Sequence, residues 1–200
     1  MMKVGIQNVF LIVAFLMFAG FDSVAKGEWS SSTVQVTGGN CLVRETRVDE
    51  TKLTFIFDDF AARSNSGSIL PVRVVESCEA SVVFRLPPYQ KLKTLSHRVI
   101  AFAEKVQRSE ISLLGSVEIL GENFKSNGRL PSGSIFSGRV LLYRSFDLGA
   151  LAQCQPHDQQ VTVKASWLLQ ILADEGEDSS QIDLTGAEQR VDLWVDTEPC

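Results

Sequence analysis

Hydrophobic and polar residues alternate along most of the chain beyond residue 40. In 161–169, for example, Val161, Val163 and Trp167 fall on one side of the chain and Thr162 falls on the other. A period of two residues is typical of a β-strand with one face on a hydrophobic core and the other in water. The strongest patterns predict strands over 51–58, 81–86, 111–119, 161–169 and 191–195, and weaker patterns predict strands over 33–37, 41–46, 70–76, 97–105 and 138–144.

Turn-forming residues separate these runs. The turn and loop segments are Gly38-Gly39-Asn40, 64–68, Pro87-Pro88, Asn127-Gly128, 131–133 and 179–180. Residues 100–106 have a composition that suits a helix or a strand. About nine to ten short strands joined by polar turns predict an all-β fold, an antiparallel β-sandwich. We expect one domain over 26–200 because no linker-like run divides the chain, with two domains as the alternative.

The N-terminal segment has the features of a secretory signal peptide. Lys3 precedes an uninterrupted apolar stretch over 9–19, and Ser23 and Ala25 place small residues at the −3 and −1 positions of a cleavage site. A membrane-spanning helix needs about 20 apolar residues, so this stretch is short for a stable membrane anchor. We therefore expect residues 1–25 to be removed and the mature protein to be extracellular, or periplasmic in a Gram-negative cell. An uncleaved anchor is the alternative.

The cysteines support export. The chain has four of them, Cys41, Cys78, Cys154 and Cys200, without a closely spaced pair. Zinc sites need close pairs that reach one ion, whereas an oxidising compartment favours disulfides. Four cysteines allow three pairings, of which we favour Cys41–Cys78 and Cys154–Cys200, one bridge in each half. Each bridge would contribute roughly 3–4 kcal/mol in the chain-entropy model.

The order of these features is similar to that of a known family. Gly38-Gly39-Asn40-Cys41 precedes the strand over 49–58, and Cys78 leads an alternating segment that ends at Pro87-Pro88. Cys154 and the terminal Cys200 follow. The arrangement resembles, over nearly all of 34–200, the secreted bacterial and fungal family known only as domain of unknown function 4360. The resemblance implies export and a β fold, and it implies no catalytic residues.

Composition and charge narrow the class of function. The chain is 44% hydrophobic and 22% charged, with a formal net charge of −5. It is too apolar for a disordered chain, and it lacks the basic footprint of a nucleic-acid-binding protein. A modest basic stretch, formed by Arg85, Lys91, Lys93 and Arg98, is typical of a solvated strand edge. We therefore expect no nucleic-acid partner.

Motifs for catalysis are missing from the sequence. It contains neither Gly-x-Ser-x-Gly nor His-Glu-x-x-His, and His97 and His157 share no motif. The adjacent carboxylates Asp58 and Asp59 point to opposite faces of a continuous strand, so they cannot cooperate in glycoside hydrolysis. We predict no catalytic residue. The alternative is a secreted hydrolase whose carboxylate or Ser-His-Asp site is assembled only in the fold.

Trp194 is the candidate ligand-binding residue. It alternates with Val191, Leu193 and Val195, which places it on the polar face of its strand together with Asp192 and Asp196. Sugars stack on aromatic rings that have polar neighbours, so this face is a candidate carbohydrate site. Trp167 lies in an apolar stripe and is predicted to be core. The alternative for Trp194 is a second packing surface, since large apolar side chains are mostly buried.

The densest charge cluster lies in 174–178, where Asp174, Glu175, Glu177 and Asp178 surround a glycine. Four carboxylates could hold Ca²⁺, which takes six to eight oxygen ligands. A solvated acidic loop explains the same residues, and no other cofactor is expected. Taken with the missing catalytic motifs, the sequence predicts a non-catalytic binding or structural module that contacts an extracellular glycan or protein.

Overall fold

A computed structural model describes residues 27–39, 41–65, 67–186 and 188–200. These residues form β-strands and no helix, so the all-β prediction is confirmed. The strands are β1 (Glu28–Thr37), β2 (Leu42–Asp49), β3 (Lys52–Asp59), β4 (Ala61–Arg63), β5 (Val72–Leu86), β6 (Gln90–Lys105), β7 (Ser109–Ile119), β8 (Glu122–Leu130), β9 (Phe136–Asp147), β10 (Gln159–Ala173), β11 (Gln181–Asp183) and β12 (Arg190–Pro199).

One sheet has five antiparallel strands in the order β1-β5-β10-β7-β8. Its centre is β10, which pairs with β5 along its whole length, from Gln159 opposite Leu86 to Ala173 opposite Val72. The other edge of β10 pairs with β7. The central strand is therefore hydrogen-bonded on both sides.

The second sheet has seven strands in the order β2-β3-β12-β6-β11-β4, with β9 paired to β6. The long strand β6 organises it: β12 pairs with 90–100 and β11 with 102–104, both on one edge. β9 pairs with 94–105, which overlaps both segments and so must lie on the opposite edge. All of these pairings are antiparallel.

The two sheets pack face to face as the predicted sandwich. Their inward side chains form one hydrophobic core, to which β7 and β10 contribute every second residue along almost their whole length and β6 and β12 contribute their buried apolar side chains. Trp167 lies at its centre, with its ring centroid 5.5 Å from that of Phe55 and 6.1 Å from that of Phe57. The prediction that Trp167 belongs to the core is confirmed.

Side-chain contacts connect the sheets at their edges. On one side the rings of Phe124 in β8 and Phe146 in β9 stack with centroids 4.8 Å apart. On the other side the indole N–H of Trp29 in β1 donates to the carbonyl of Thr51, in the β2–β3 turn, over 2.7 Å. These contacts cover the flanks of the core between the edge strands.

The favoured disulfide pairing is confirmed. Cys41 is bonded to Cys78 and Cys154 to Cys200, with Cα–Cα distances of 5.5 and 5.9 Å. The first bridge joins the start of β2 to β5, and so connects the two sheets. The second holds the C-terminus, where the backbone N–H of Cys200 also donates to the carbonyl of Tyr89 over 2.9 Å.

The structure differs from the predicted strands in several places. Segments 72–76 and 81–86 belong to one strand, β5, because residues 77–80 between them continue the alternation of exposed and buried positions. The Asn127-Gly128 pair lies inside β8, a strand that was not predicted, because Gly128 pairs with Leu113 across the ladder. The residues 100–106 belong to β6 up to Lys105, so the helical alternative is wrong.

The turn between β7 and β8 lies instead at Leu120-Gly121. Both residues have positive φ, 54° and 82°, as a two-residue hairpin turn requires. The predicted signal peptide over 1–25 lies outside the described residues. No helix within the described ranges is long and apolar enough to cross a membrane.

Candidate functional site

Trp194 lies on the outer face of the seven-stranded sheet, where it is half-buried. Alternation along β12 sends Val191, Leu193 and Val195 into the core, so Asp192, Trp194 and Asp196 point away from it. In the ladders, Trp194 lies between Lys52 of β3 and Ser96 of β6. The face on which the sequence placed the candidate site is therefore the outer surface of the sandwich.

We define the Trp194 cluster as Trp194, the three side chains that contact its ring, the carboxylate that holds two of them, and the further partner of that carboxylate: Lys52, Arg98, Tyr143, Arg190, Asp192 and Trp194. The guanidinium carbon of Arg98 lies 4.7 Å from the Trp194 ring centroid, and Nζ of Lys52 lies 5.5 Å from it. Both distances are in the range of cation–π attraction. Tyr143 meets the same ring edge-on with centroids 6.5 Å apart, and it is 51% exposed.

Asp192 is the buried anchor of the Trp194 cluster, with 0% of its surface exposed. Its Oδ1 accepts a hydrogen bond from the Thr54 hydroxyl over 2.6 Å, and Nζ of Lys52 lies 3.4 Å from the same oxygen. Its Oδ2 accepts from Nε of Arg98 over 2.9 Å, from a second nitrogen of that guanidinium, and from Nε of Arg190 over 3.3 Å.

The protonation state of Asp192 follows from these partners. Burial alone raises the pKa of the carboxyl, but the hydrogen bonds from Thr54 and Arg98 and the charges of Lys52 and Arg98 outweigh it. The pKa of Asp192 is therefore held below its ordinary value, and the group is a carboxylate at neutral pH. Because Asp192 has no accessible surface, its role on this sheet face is to orient the side chains of Arg98 and Lys52.

Asp196 lies beyond the Trp194 cluster on the same strand face. It is exposed, and its Oδ2 accepts a hydrogen bond from the Thr94 hydroxyl over 2.7 Å. Of the three residues that the sequence proposed for ligand binding, Trp194 and Asp196 are thus at the surface, and Asp192 is beneath it.

The predicted calcium loop lies between β10 and β11. Its backbone is held by the 67–68 turn, with bonds from Gly176 N to the Ser68 carbonyl (2.7 Å) and from Gly67 N to the Glu177 carbonyl (3.1 Å). Oε1 of Glu177 lies 3.6 Å from Nε of Arg108. In the described part of the chain, no group of three His, Cys, Asp or Glu side chains is placed to hold one ion. Calcium binding by Asp174, Glu175, Glu177 and Asp178 stays a prediction.

A second polar constellation lies between the sheets, where His97 of β6 is fully buried. Its Nε2 accepts the indole N–H of Trp167 over 2.8 Å, and its Nδ1 lies 3.3 Å from Oγ of Ser126. The Ser126 hydroxyl donates to the carbonyl of Gly115 over 3.2 Å. This Ser-His pair has an indole where a catalytic triad has a carboxylate, and it is closed to solvent, so its arrangement is that of a core network.

The outer face of the five-stranded sheet has a shallow polar groove of about 280 Å³. Its side chains bond to each other: Nζ of Lys164 lies 3.2 Å from Oε1 of Glu118, and the hydroxyls of Ser116 and Ser166 are 2.7 Å apart. The residues that line it, all within the described chain, include no aromatic side chain. The aromatic pair of Trp194 and Tyr143 lies on the outer face of the other sheet.

Sequence reasoning missed four members of the Trp194 cluster: Lys52, Arg98, Tyr143 and Arg190. The interpretation of Arg98 as part of a solvated edge is wrong, because its side chain is only 28% exposed and is held between Asp192 and Trp194. Alternation in β6 and β9 does place Arg98 and Tyr143 on outer faces. The register that puts both of them beside Trp194 is not readable from any one strand.

The fold defines the protein as a disulfide-bonded antiparallel β-sandwich, and the comparisons with known proteins do not define its class more narrowly. No family model matches the chain, and no curated protein matches it. Among solved structures, it is similar to the enzymatically active domain of bacteriophage CBA120 tailspike protein 4, with 8% identity over 88% of this chain and a TM-score of 0.21. A GH31 α-xylosidase from Xanthomonas citri shares 10% identity over 84% of this chain, with a TM-score of 0.12.

This chain spans 19% of the tailspike chain and 28% of the xylosidase chain. At these TM-scores neither likeness carries an argument about fold or activity.

Proposed function

We propose that the protein is a secreted, non-catalytic binding module whose ligand is an extracellular glycan, bound at the Trp194 cluster. The observation that carries this proposal is the pairing of Trp194 with the exposed Tyr143 on one outer sheet face, among cationic side chains held by Asp192. Glycans bind to such surfaces because the apolar faces of sugar rings pack on aromatic rings while hydroxyls bond to flanking polar groups.

A preformed site favours binding. Arg98 is held by hydrogen bonds to Asp192 and by its contact with the Trp194 ring, so little side-chain freedom remains to be lost when a ligand arrives. The hydroxyls of Ser96 and Ser145, which bond to each other over 2.9 Å, lie on the same face next to Trp194 and add polar groups.

Export and family membership belong to the same proposal. The predicted leader, the cleavage site after Ala25 and the two disulfides support secretion. The sequence resemblance to the domain of unknown function 4360 family supports an exported β protein. N-terminal sequencing of the exported protein tests the leader: we expect it to begin at Lys26, and a retained residue 1 would contradict secretion by cleavage.

The binding test uses the purified exported domain on an array of bacterial, fungal and plant polysaccharides. We expect binding that is lost in Trp194→Ala and reduced in Tyr143→Ala. The matched control is Tyr89→Asn, which removes a Tyr that is 65% exposed and lies in the β5–β6 turn, away from the cluster. Silence on every polysaccharide, with capture of an extracellular protein through the same residues, would replace the glycan by a protein partner.

A further inference from the structure

The Trp194 cluster carries more positive than negative charge. Lys52, Arg98 and Arg190 all point their charged groups at one carboxylate, that of Asp192. One carboxylate cannot neutralise three cations, so an excess of positive charge remains at this point of an otherwise acidic protein, whose formal net charge is −5.

Two further acidic side chains near these cations, Asp49 and Asp196, are not bonded to them. Asp49 lies opposite Lys52 in the β2–β3 ladder, and Asp196 accepts its hydrogen bond from Thr94. Within the described ranges, neither forms an ion pair with Lys52, Arg98 or Arg190.

The cations also retain unused hydrogen-bond donors. Arg98 bonds to Asp192 through Nε and one terminal nitrogen, and Arg190 bonds through Nε alone. Among the described residues no acceptor is bonded to their other terminal nitrogens. The side chains of Arg98 and Arg190 are 28% and 33% exposed, and that of Lys52 is 31% exposed, so part of each side chain is accessible to a ligand. Guanidinium forks match the geometry of a carboxylate.

We infer that the ligand of the Trp194 cluster is an anionic glycan, in which a sugar ring packs on Trp194 and Tyr143 while the carboxylate of a uronic acid meets Arg98 and Arg190. The inference rests on the proposed function and specifies its ligand class. The aromatic pair would bind any sugar ring. The uncompensated cations are what distinguish an acidic sugar from a neutral one, because their remaining donors and charge have no match on a neutral glycan.

The test measures affinity by titration calorimetry for three uronate polymers, polygalacturonate, alginate and hyaluronate, each against its neutral ester. We expect at least one uronate to bind, and esterification to weaken binding by about tenfold or more through loss of the charged contacts. Raising the salt concentration is expected to weaken binding to the uronate and to leave any binding to the ester unchanged.

Three variants assign the effect to residues. Arg190→Gln is expected to lower affinity for the uronate by about fivefold and to leave affinity for the ester unchanged. Trp194→Ala is expected to abolish binding to both. Arg129→Gln is the matched control, since Arg129 is 61% exposed and pairs with Glu110 on the opposite sheet, and it is expected to change neither affinity.

The outcomes separate this inference from the proposed function. Equal, Trp194-dependent binding of acid and ester overturns the anionic ligand and keeps the glycan module. Uronate binding that Arg190→Gln does not change also overturns the inference. If none of the three uronates binds, the inference is overturned as well. The proposed function is overturned only if neutral glycans also fail to bind.

Discussion

The indole N–H of Trp167 donates a hydrogen bond to Nε2 of His97 over 2.8 Å, and this bond joins the two sheets at the centre of the sandwich. An indole can only donate, so Nε2 must be unprotonated. The proton of the neutral imidazole is then on Nδ1, where it faces the Ser126 hydroxyl at 3.3 Å. Protonation of Nε2 would break the contact with Trp167 and place a charge in the core.

Stability is expected to fall on acidification because of His97. Burial lowers the pKa of His97 from 6.5 to about 4. Between pH 6.5 and about pH 4, His97 is therefore protonated in the unfolded chain but neutral in the folded protein. The contribution of neutral His97 to the free energy of unfolding is fully present above about pH 6.5. It is lost as the pH falls toward about 4, and the loss is about 3 kcal/mol in total. Urea unfolding across this range measures it.

The histidine variants separate this effect from that of other groups. His97→Gln should flatten the pH dependence, while His157→Gln, at an exposed loop position, should keep it. An unchanged slope in His97→Gln would rule out His97 as its source.

Gly115 is the residue that makes room for His97. In the ladders it lies between Trp167 and Ser126, and a Cβ at this position would lie 2.4 Å from Cε1 of His97 and 2.8 Å from Oγ of Ser126. We expect Gly115→Ala to destabilise the protein by about 1–3 kcal/mol through overpacking. Chemical denaturation measures the loss.

Gly128→Ala is the control for Gly115→Ala. Its Cβ would meet Leu142 at 3.8 Å, an ordinary contact, so we expect a change of under about 1 kcal/mol. Similar losses in the two variants would contradict the steric explanation.

Leu120 occupies a backbone conformation that suits another residue better. Its φ is +54° in the β7–β8 turn, a region in which leucine is strained and asparagine is common. Leu120→Asn is expected to stabilise the protein by about 1 kcal/mol, because Leu120 is already exposed and little apolar burial is lost. Thermal unfolding should show a higher midpoint. Leu151→Asn, another exposed leucine but without positive φ, should give no gain.

Lys105 is a buried ammonium that holds three segments together. Its Nζ donates to the carbonyls of Val106 (3.1 Å), Ser109 (3.2 Å) and Ser134, and burial lowers its pKa. Lys105→Met would leave these carbonyls without that donor, which we expect to cost about 2–4 kcal/mol. Lys164→Met, at a 61% exposed position, should change stability by less than about 0.5 kcal/mol. Equal stability of the two variants would show that the carbonyls find other partners.

Local pattern predicted the fold well where each strand has one wet face. The alternation in 111–119 and 161–169 corresponds to β7 and β10, and the apolar stripe that contains Trp167 is the core. It failed for β8, whose side chains are mostly polar and whose Asn127-Gly128 pair is a turn signal. Pairing to β7 overrides that local preference.

By itself the sequence determined the class of fold and the face of β12 on which Trp194 lies, because both follow from a two-residue period. It allowed three disulfide pairings, and the structure confirms the one we favoured. Only the tertiary structure decided which side chains meet. It placed the His97 imidazole over the space left by Gly115, and it brought Arg98, Lys52 and Arg190 to a single buried carboxylate. These side-chain contacts depend on the register between strands that are distant in sequence. The register is set by packing of the whole core rather than by any strand alone.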